Sequence, residues 1–376
     1  MQFSFSDEQE ELRRVVRQFL EDRSPPAEVR RLMETSQGYD GAVWKQLCEE
    51  LGLAAVHVPE EYGGQGFGFV ELGIVLEEMG RALLCAPYFA SIALAANAIL
   101  NAATETRKKE LLPAIASGET IATLALAEPG GRWDADGVAL TATATDGAFR
   151  LDGVKTFVLD GHTADLIVVV ARTPGSSASD GLSFFTVSSS ASGLARRLLQ
   201  TVDATRKQAR LEFSGVQAEP LGELGAGGVA LARTLDQASV ALANEMIGGA
   251  QKVLETTVEY AKTRVQFGRQ IGSFQAIKHK CADMLLEIEL AKSSAYYAAQ
   301  AAAEEDEELP AVAALAKASG SDAYLHAAAE SIQIHGGVGF TWENDAHLYF
   351  KRAKSSEVFL GDPQYHRELL AQRWGV

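Results

Sequence analysis

Asp236-Gln237-Ala238-Ser239-Val240-Ala241-Leu242-Ala243-Asn244-Glu245-Met246-Ile247-Gly248-Gly249-Ala250-Gln251 lies inside a longer segment, Leu231 to Thr263, that runs into Arg264-Val265-Gln266-Phe267-Gly268. With no proline and no run of β-branched residues, the segment reads as one continuous helix. At helical spacing from Glu245 stand Ala241, Leu242, Gly248 and Gly249, none able to neutralise a carboxylate. A glycine inside a helix costs about 1 kcal/mol relative to alanine, so the Gly248-Gly249 pair implies close approach by a partner helix or a flat ligand. Buried without a cation, Glu245 becomes a stronger base and is the candidate general base; paired with an arginine or lysine from another helix, it is structural.

Helical spacing also governs the amino-terminal part. Ser6 with Gln9 opens a helix carrying Leu12, Val15, Val16, Phe19 and Leu20, and Pro25-Pro26 ends it. A helix from about Asp40 reaches Gly52, and others follow over Val70–Arg81, Tyr88–Asn101 and Thr104–Ser117, with Thr104 as cap and Gly118 as stop. The loop Glu60 to Gly68 lacks the spacing of a dinucleotide-binding strand-to-helix turn and reads as structural. At Ile121 the period changes to about two, giving β runs at Thr123–Ala127, Val138–Ala144, Ala148–Val158, Leu166–Val170, Leu182–Val187 and Arg210–Val216. Asp146-Gly147 and Asp152-Gly153 read as turns, Gly175–Asp180 as a flexible loop, and the whole as an antiparallel barrel or sandwich. From Gly228 the chain is helical again, with long segments at Leu231–Thr263, Phe274–Ala303 and Ala311–His335, the acidic run Glu304–Glu308 forming a loop. The expected division is an all-helical 1–120, a β-barrel 121–228 and a helical bundle 229–376, an α+β architecture.

Composition narrows the partners. A net charge of −16 without a basic block argues against nucleic acid or an anionic membrane. Three isolated cysteines, Cys48, Cys85 and Cys281, with no Cys-x-x-Cys, suit a reducing cytoplasm. Neither a signal peptide nor a membrane span is expected, and the scattered histidines predict no metal site.

Five motifs in order resemble the acyl-CoA dehydrogenase family over essentially the whole chain: Pro59-Glu60-Glu61-Tyr62-Gly63-Gly64, Ala127-Glu128-Pro129-Gly130, Arg264-Val265-Gln266-Phe267-Gly268, Gln275, and Gln333-Ile334-His335-Gly336-Gly337-Val338-Gly339-Phe340. The resemblance implies an FAD enzyme in which a base removes the α proton of an acyl-CoA while the β hydrogen leaves as hydride to flavin N5, with an electron-transfer protein as acceptor. It also implies that Arg264, Phe267, Gln275, Gln333, Gly336 and Gly337 contact the FAD of a neighbouring subunit. A guanidinium suits the pyrophosphate, an aromatic ring the flavin edge, and glycines allow close backbone approach.

Departures from the family pattern bear on which subunit does what. The family's Thr-Glu-Pro-Gly-Ala-Gly-Ser-Asp reads Ala127-Glu128-Pro129-Gly130-Gly131-Arg132-Trp133-Asp134, and its Trp-Ile-Thr-Asn-Gly reads Phe157-Val158-Leu159-Asp160-Gly161. Leu360 occupies the usual place of the catalytic glutamate, and the alternative place, early in the long helix, holds Ala238. Glu245, nearly two turns further on, lies on the same helical face. Glu357 and Asp362 are weaker candidates for the base; Asp236 is expected to be exposed, Trp133 to be packed and His335 to be structural. Two readings follow: a dehydrogenase using Glu245, or a non-catalytic subunit completing the FAD site of a homologous chain. The second pattern resembles heteromeric members acting on bulky or dicarboxylic acyl-CoA thioesters.

Overall fold

The computed structural model describes residues 5–145 and 148–376, so the Asp146-Gly147 turn lies outside the described residues. Helix α1 (Asp7–Arg23) opens with the reciprocal Ser6–Gln9 capping box that the sequence predicts. A short α2 (Pro26–Met33) follows where the diproline suggested only an end, since proline is tolerated in a first helical turn. Asp40 caps α3 (Gly41–Lys45), which continues as a π-helical turn, Gln46–Glu50. After α4 (Phe69–Arg81), residues Phe89–Ala96 form a π-helical stretch leading into α5 (Asn97–Ala102), where the Asn97 side chain donates to Ala93 O at 3.0 Å. Thr104 caps α6 (Glu105–Ala116).

Seven strands come next: β1 (Ala122–Ala125), β2 (Thr141–Thr145), β3 (Ala148–Leu159), β4 (Leu166–Arg172), β5 (Leu182–Ser188), β6 (Leu194–Leu198) and β7 (Gln208–Pro220). Strands β4, β2, β3, β7 and β5 pair in a closed ring, which removes the open edges of a sheet. The barrel is not wholly antiparallel as expected: β1 runs parallel to β4, joined by a chain long enough for the crossover that a parallel pair requires. Asp152-Gly153 is not a turn. It sits inside β3 at a register shift, with Gly153 at φ +143° and packed so closely on Leu140 that a Cβ would lie 3.0 Å from its side chain. β6 escaped notice because Leu194-Ala195-Arg196-Arg197-Leu198 is an exposed strand paired only to β7, without an apolar face to repeat. The barrel interior is filled by Leu151, Val158, Ile167, Val169, Phe185, Leu211 and Val216.

The carboxy-terminal elements are α7 (Gly227–Thr263), a tiny hairpin of β8 (Val265–Gln266) and β9 (Arg269–Gln270), α8 (Gln275–Ala303), α9 (Leu309–His335), α10 (Ala346–Val358) and α11 (Pro363–Trp374). Two compact units result. One comprises Met1–Arg31, Gly68–Leu84 and Ser239–Val376 and is helical apart from the β8–β9 hairpin; the other comprises Leu32–Phe67 and Cys85–Ala238 and contains the barrel. No helix among the described residues is long and apolar enough to cross a membrane, and none of their His, Cys, Asp and Glu side chains cluster as a metal site.

Candidate functional site

The glycines of α7 serve helix packing. A Cβ on Gly248 would fall 1.8 Å from Glu77 O, and one on Gly80 would fall 1.9 Å from Glu245 O, so α4 and α7 meet backbone to backbone. Gly249 faces the ring of Tyr324 on α9, which a Cβ would approach to 2.5 Å. Of the two expected occupants of this face, the partner helix is the one present. Glu245 is not without a cation: its Oε1 accepts from Arg352 Nη1 of α10 at 3.0 Å, with the two residues only 5% and 3% exposed. Neighbours within α7 could not reveal this, because the guanidinium arrives from 107 residues further along the chain.

The other carboxylates near the carboxy terminus are also engaged. Glu357 forms an ion pair with Lys354, and Asp362 caps α11 by accepting from Tyr365 N at 2.8 Å. Between them, Leu360 is buried in a left-handed conformation, φ +63°. Its carbonyl accepts from His366 Nε2 at 3.0 Å. Lys317, wholly buried on α9, donates to Ser321 Oγ at 3.0 Å, Glu357 O at 3.1 Å and Gly361 O at 3.0 Å, and burial pulls its ammonium down to about 7. Lys317 was not singled out from the sequence. A lone lysine within the apolar run Ala311-Val312-Ala313-Ala314-Leu315-Ala316-Lys317-Ala318 was the available signal.

The residues expected to face a neighbour gather at one end of the helical unit. The end of α7 lies beside the end of α9, with Tyr260 and His335 rings stacked 4.2 Å apart and Thr257 Oγ1 donating to Ser331 Oγ at 2.8 Å. The start of α8 is tied to the same place by the Lys280–Glu330 ion pair. Arg264, Phe267, Gln275, Gln333, Gly336 and Gly337 are all exposed there, Phe267 to 92%. Gly336 adopts φ +63°, and a Cβ on either Gly336 or Gly337 would meet nothing within 4 Å. His335, as expected, is structural: it is buried, its Nδ1 bonded to Ser331 O at 2.7 Å.

In the barrel unit, Glu128 does not face outward. Its Oε1 accepts from Ala139 N, Leu140 N and the buried ammonium of Lys155, at 2.9, 2.8 and 2.8 Å. Lys155 also donates to Leu126 O, and Thr156 N to Ala127 O, so β3 grips the Ala127–Gly130 loop. Burial lowers Lys155 to about 8, opposed by Glu128. One residue on, Phe157 stands at φ +55° and is 40% exposed. A bulky residue held in that region is strained, a condition common where a side chain must be aimed at a ligand. Trp133 is half-buried, whereas Asp236, expected at the surface, is buried at 7% exposure because its turn of α7 packs inside the barrel-containing unit.

Over 369 residues, 98% of each chain, the sequence is 37% identical to acyl-CoA dehydrogenase IpdE2 of Mycobacterium tuberculosis. The chain belongs to the acyl-CoA dehydrogenase family. These enzymes are oxidoreductases acting on CH–CH donors, and their N-terminal, middle and C-terminal domain families match residues 6–119, 123–216 and 225–375. Among solved structures, butyryl-CoA dehydrogenase from Megasphaera elsdenii is similar over 100% of both chains, with a TM-score of 0.92 and 29% identity. The ChsE4–ChsE5 complex from Mycobacterium tuberculosis is similar over 100% of this chain and 99% of that one, with a TM-score of 0.90 and 27% identity. As an acyl-CoA dehydrogenase, the chain keeps the family's architecture, an N-terminal helical domain, a middle domain with a barrel and a C-terminal helical domain. Its candidate acids Glu245, Glu357 and Asp362 are each engaged by a partner within the chain.

Proposed function

We propose that this chain is one subunit of a hetero-oligomeric, FAD-dependent acyl-CoA dehydrogenase, contributing Arg264, Phe267, Gln275, Gln333, Gly336 and Gly337 to FAD held mainly by a homologous neighbour. The observation that carries this reading is a contrast: those residues stand exposed together at one end of the helical unit, while Glu245 is bound to Arg352 and the position of the usual base is Leu360. The fit to FAD is good at the exposed end. Gly336 and Gly337 leave open space where backbone N–H groups can approach a ligand, and Arg264 and Phe267 supply a guanidinium and an aromatic ring. It is poorer in the barrel, where Ala127, Trp133 and Leu159 stand in place of hydroxyl-bearing residues.

FAD, when bound, supplies the hydride acceptor for the β hydrogen. The α proton goes to a carboxylate, which this reading assigns to the neighbour. The chain's own residues hold and orient the dinucleotide and close its site against water. The likeness to the ChsE4–ChsE5 complex supports a heteromeric assembly; a bulky acyl-CoA thioester is the substrate class this reading assigns. A separate electron-transfer protein would serve as the electron acceptor, and the cytoplasm is the compartment this reading assigns.

Phe157 favours a second reading, a self-sufficient enzyme. Its strained backbone presents an aromatic ring in the barrel, as a cofactor held by this chain would require, and Glu245 would then have to be released from Arg352 to act as base. Expression of the chain alone, followed by visible flavin absorbance and turnover of an acyl-CoA panel with an artificial acceptor, separates the two. A colourless, inactive chain that acquires flavin and activity on co-expression with a homologue is the expected result. That homologue should carry a glutamate at the position of Leu360 and hydroxyls at those of Ala127 and Trp133. Stoichiometric flavin in the lone chain, with turnover abolished by Glu245→Gln, would overturn it.

A further inference from the structure

Beyond Thr263 the chain forms an exposed arm, the β8–β9 hairpin, and beyond His335 it forms a 3₁₀ turn, Gly336–Phe340. Every residue from Lys262 to Gln270 is exposed, as are Gly336, Gly337, Val338 and Phe340 to Glu343. Gly339 is the buried exception, and it packs on His335: an added Cβ would fall 2.9 Å from His335 Cβ. The residues assigned to FAD thus sit on two open turns with almost no core of their own. What holds one turn against the other must lie behind them.

Two contacts lie there. Thr257 Oγ1 donates to Ser331 Oγ at 2.8 Å, and one helical turn further on the Tyr260 and His335 rings stack, 4.2 Å apart with 23° between their planes. Each ring is joined to the turns that follow. Tyr260 O accepts from Arg264 N at 2.9 Å, and the Tyr260 hydroxyl donates at 3.4 Å to His335 O, the carbonyl of the peptide that leads into Gly336. His335 is fixed from its own side as well. Its Nδ1 lies 2.7 Å from Ser331 O, and since a carbonyl only accepts, the proton is on Nδ1. That bond folds the ring back along α9 and holds its face towards Tyr260.

We infer that Tyr260 and His335 are positioning residues for the cofactor: their stack holds the Arg264–Gly268 turn and the Gln333–Gly337 stretch at a fixed separation, so that one dinucleotide meets both. The inference rests on the proposed role of these residues in FAD binding, and it adds the pair that keeps them in register. Neither ring has to touch the ligand. Contacts from Arg264 and from Gly337 reinforce each other only while their separation is constant, because ordering the protein at the moment of binding costs affinity. The stack does that ordering beforehand.

Hydrogen exchange followed by mass spectrometry on the full-length chain alone reads the bonded amides of both turns. These are Ile271 N to Arg264 O on one, and Gly336 N to Gln333 O and Thr341 N to Val338 O on the other. Tyr260→Leu should speed exchange in both turns by about tenfold or more, although the substitution lies on α7, and leave exchange in the rest of the helical unit as in the parent. Tyr260→Phe, which keeps the ring, should exchange as the parent does. In the complex with the flavin-holding homologue defined above, FAD titration should show affinity about fivefold or more weaker for Tyr260→Leu and for His335→Ala. Affinity should be parental for Tyr260→Phe, and the double variant Tyr260→Leu, His335→Ala should lose no more than either single one. Unchanged exchange over residues 336–341 in Tyr260→Leu, or exchange raised throughout the helical unit, would overturn the inference. So would parental flavin affinity in Tyr260→Leu, equal losses in Tyr260→Leu and Tyr260→Phe, or additive losses in the double variant. A parent complex that takes up no flavin would sink the cofactor reading, and exchange in the lone chain would then decide by itself whether the stack couples the two turns.

Discussion

Glu245 to Gly249 and Arg264 to Gly268 belong to the same helix and its exit, yet their surroundings are opposite. The first stretch is enclosed: Gly248 meets the α4 backbone, Gly249 meets the Tyr324 ring, and Glu245 meets Arg352. The second is exposed at every residue, with a strained aromatic at its tip. A carboxylate among small residues in a helix interior looks like a reactive group when only its helical neighbours are known, but small residues also mark where helices touch, and a touching helix can bring the counter-charge. An exposed arginine and phenylalanine on a tight turn have little packing to explain them, Phe267 meeting the Phe274 ring edge-on. Their exposure points to a partner.

The largest effect that would break this contrast is expected at the buried pair. Arg352→Met should cost about 3–5 kcal/mol in urea denaturation, because it leaves the Glu245 carboxylate without its buried cation. The double variant Glu245→Leu, Arg352→Met should recover most of that loss. Single and double variants of equal stability would mean that the pair is uncoupled and would reopen Glu245 as an acid–base group. Gly248→Ala should cost about 1–3 kcal/mol by the same measurement, since the new methyl collides with main chain rather than a movable side chain. Gly337→Ala, which meets open space, should leave stability within about 0.5 kcal/mol of the parent and lower flavin retention in the complex.

A pH-dependent effect comes from the buried lysines. Lys317 and Lys155 release their protons at about 7 and about 8 in the folded chain, against 10.5 when unconstrained. The unfolded chain therefore binds more protons than the native one from about pH 7 to 10.5, and stability should rise with pH through that window. Urea midpoints at successive pH values should show the rise, and Lys317→Met should flatten its lower part. The smallest effect on stability is expected at the arm: Phe267→Ala should change the urea midpoint by less than about 0.5 kcal/mol equivalent while weakening flavin retention. A large stability loss there would show that the ring packs within its own chain and would blur the distinction between the two stretches.

Where neighbours in sequence are neighbours in space, the reading from sequence succeeded. The Ser6–Gln9 box, the Thr104 cap, the long α7 and the acidic loop between α8 and α9 all follow from local capping, periodicity and solvation. The parallel pairing of β1 with β4 and the bulge at Gly153 were not legible, because register and strand partners depend on residues far along the chain. Leu194–Leu198 lacked any alternation that could mark a strand. At the candidate site, the motifs Arg264–Gly268 and Gln333–Gly337 were readable as a set, but their convergence at one end of a bundle was not. Nor were the Glu245–Arg352 pair and the Lys317 clamp, which join residues 107 and up to 44 positions apart.

By itself the sequence determined the family, the helical and strand-forming stretches, the glycines that require close approach or a left-handed backbone, and the residue types available for cofactor contact. Each of these is encoded by local periodicity, by steric freedom at single residues or by motifs in linear order. Only the tertiary structure decided whether a buried charge would be neutralised and which motif would remain open. Those outcomes depend on whether an opposite charge is brought within a few ångströms by a distant helix, and the energy of burying a carboxylate changes sign in its consequences with that single distance.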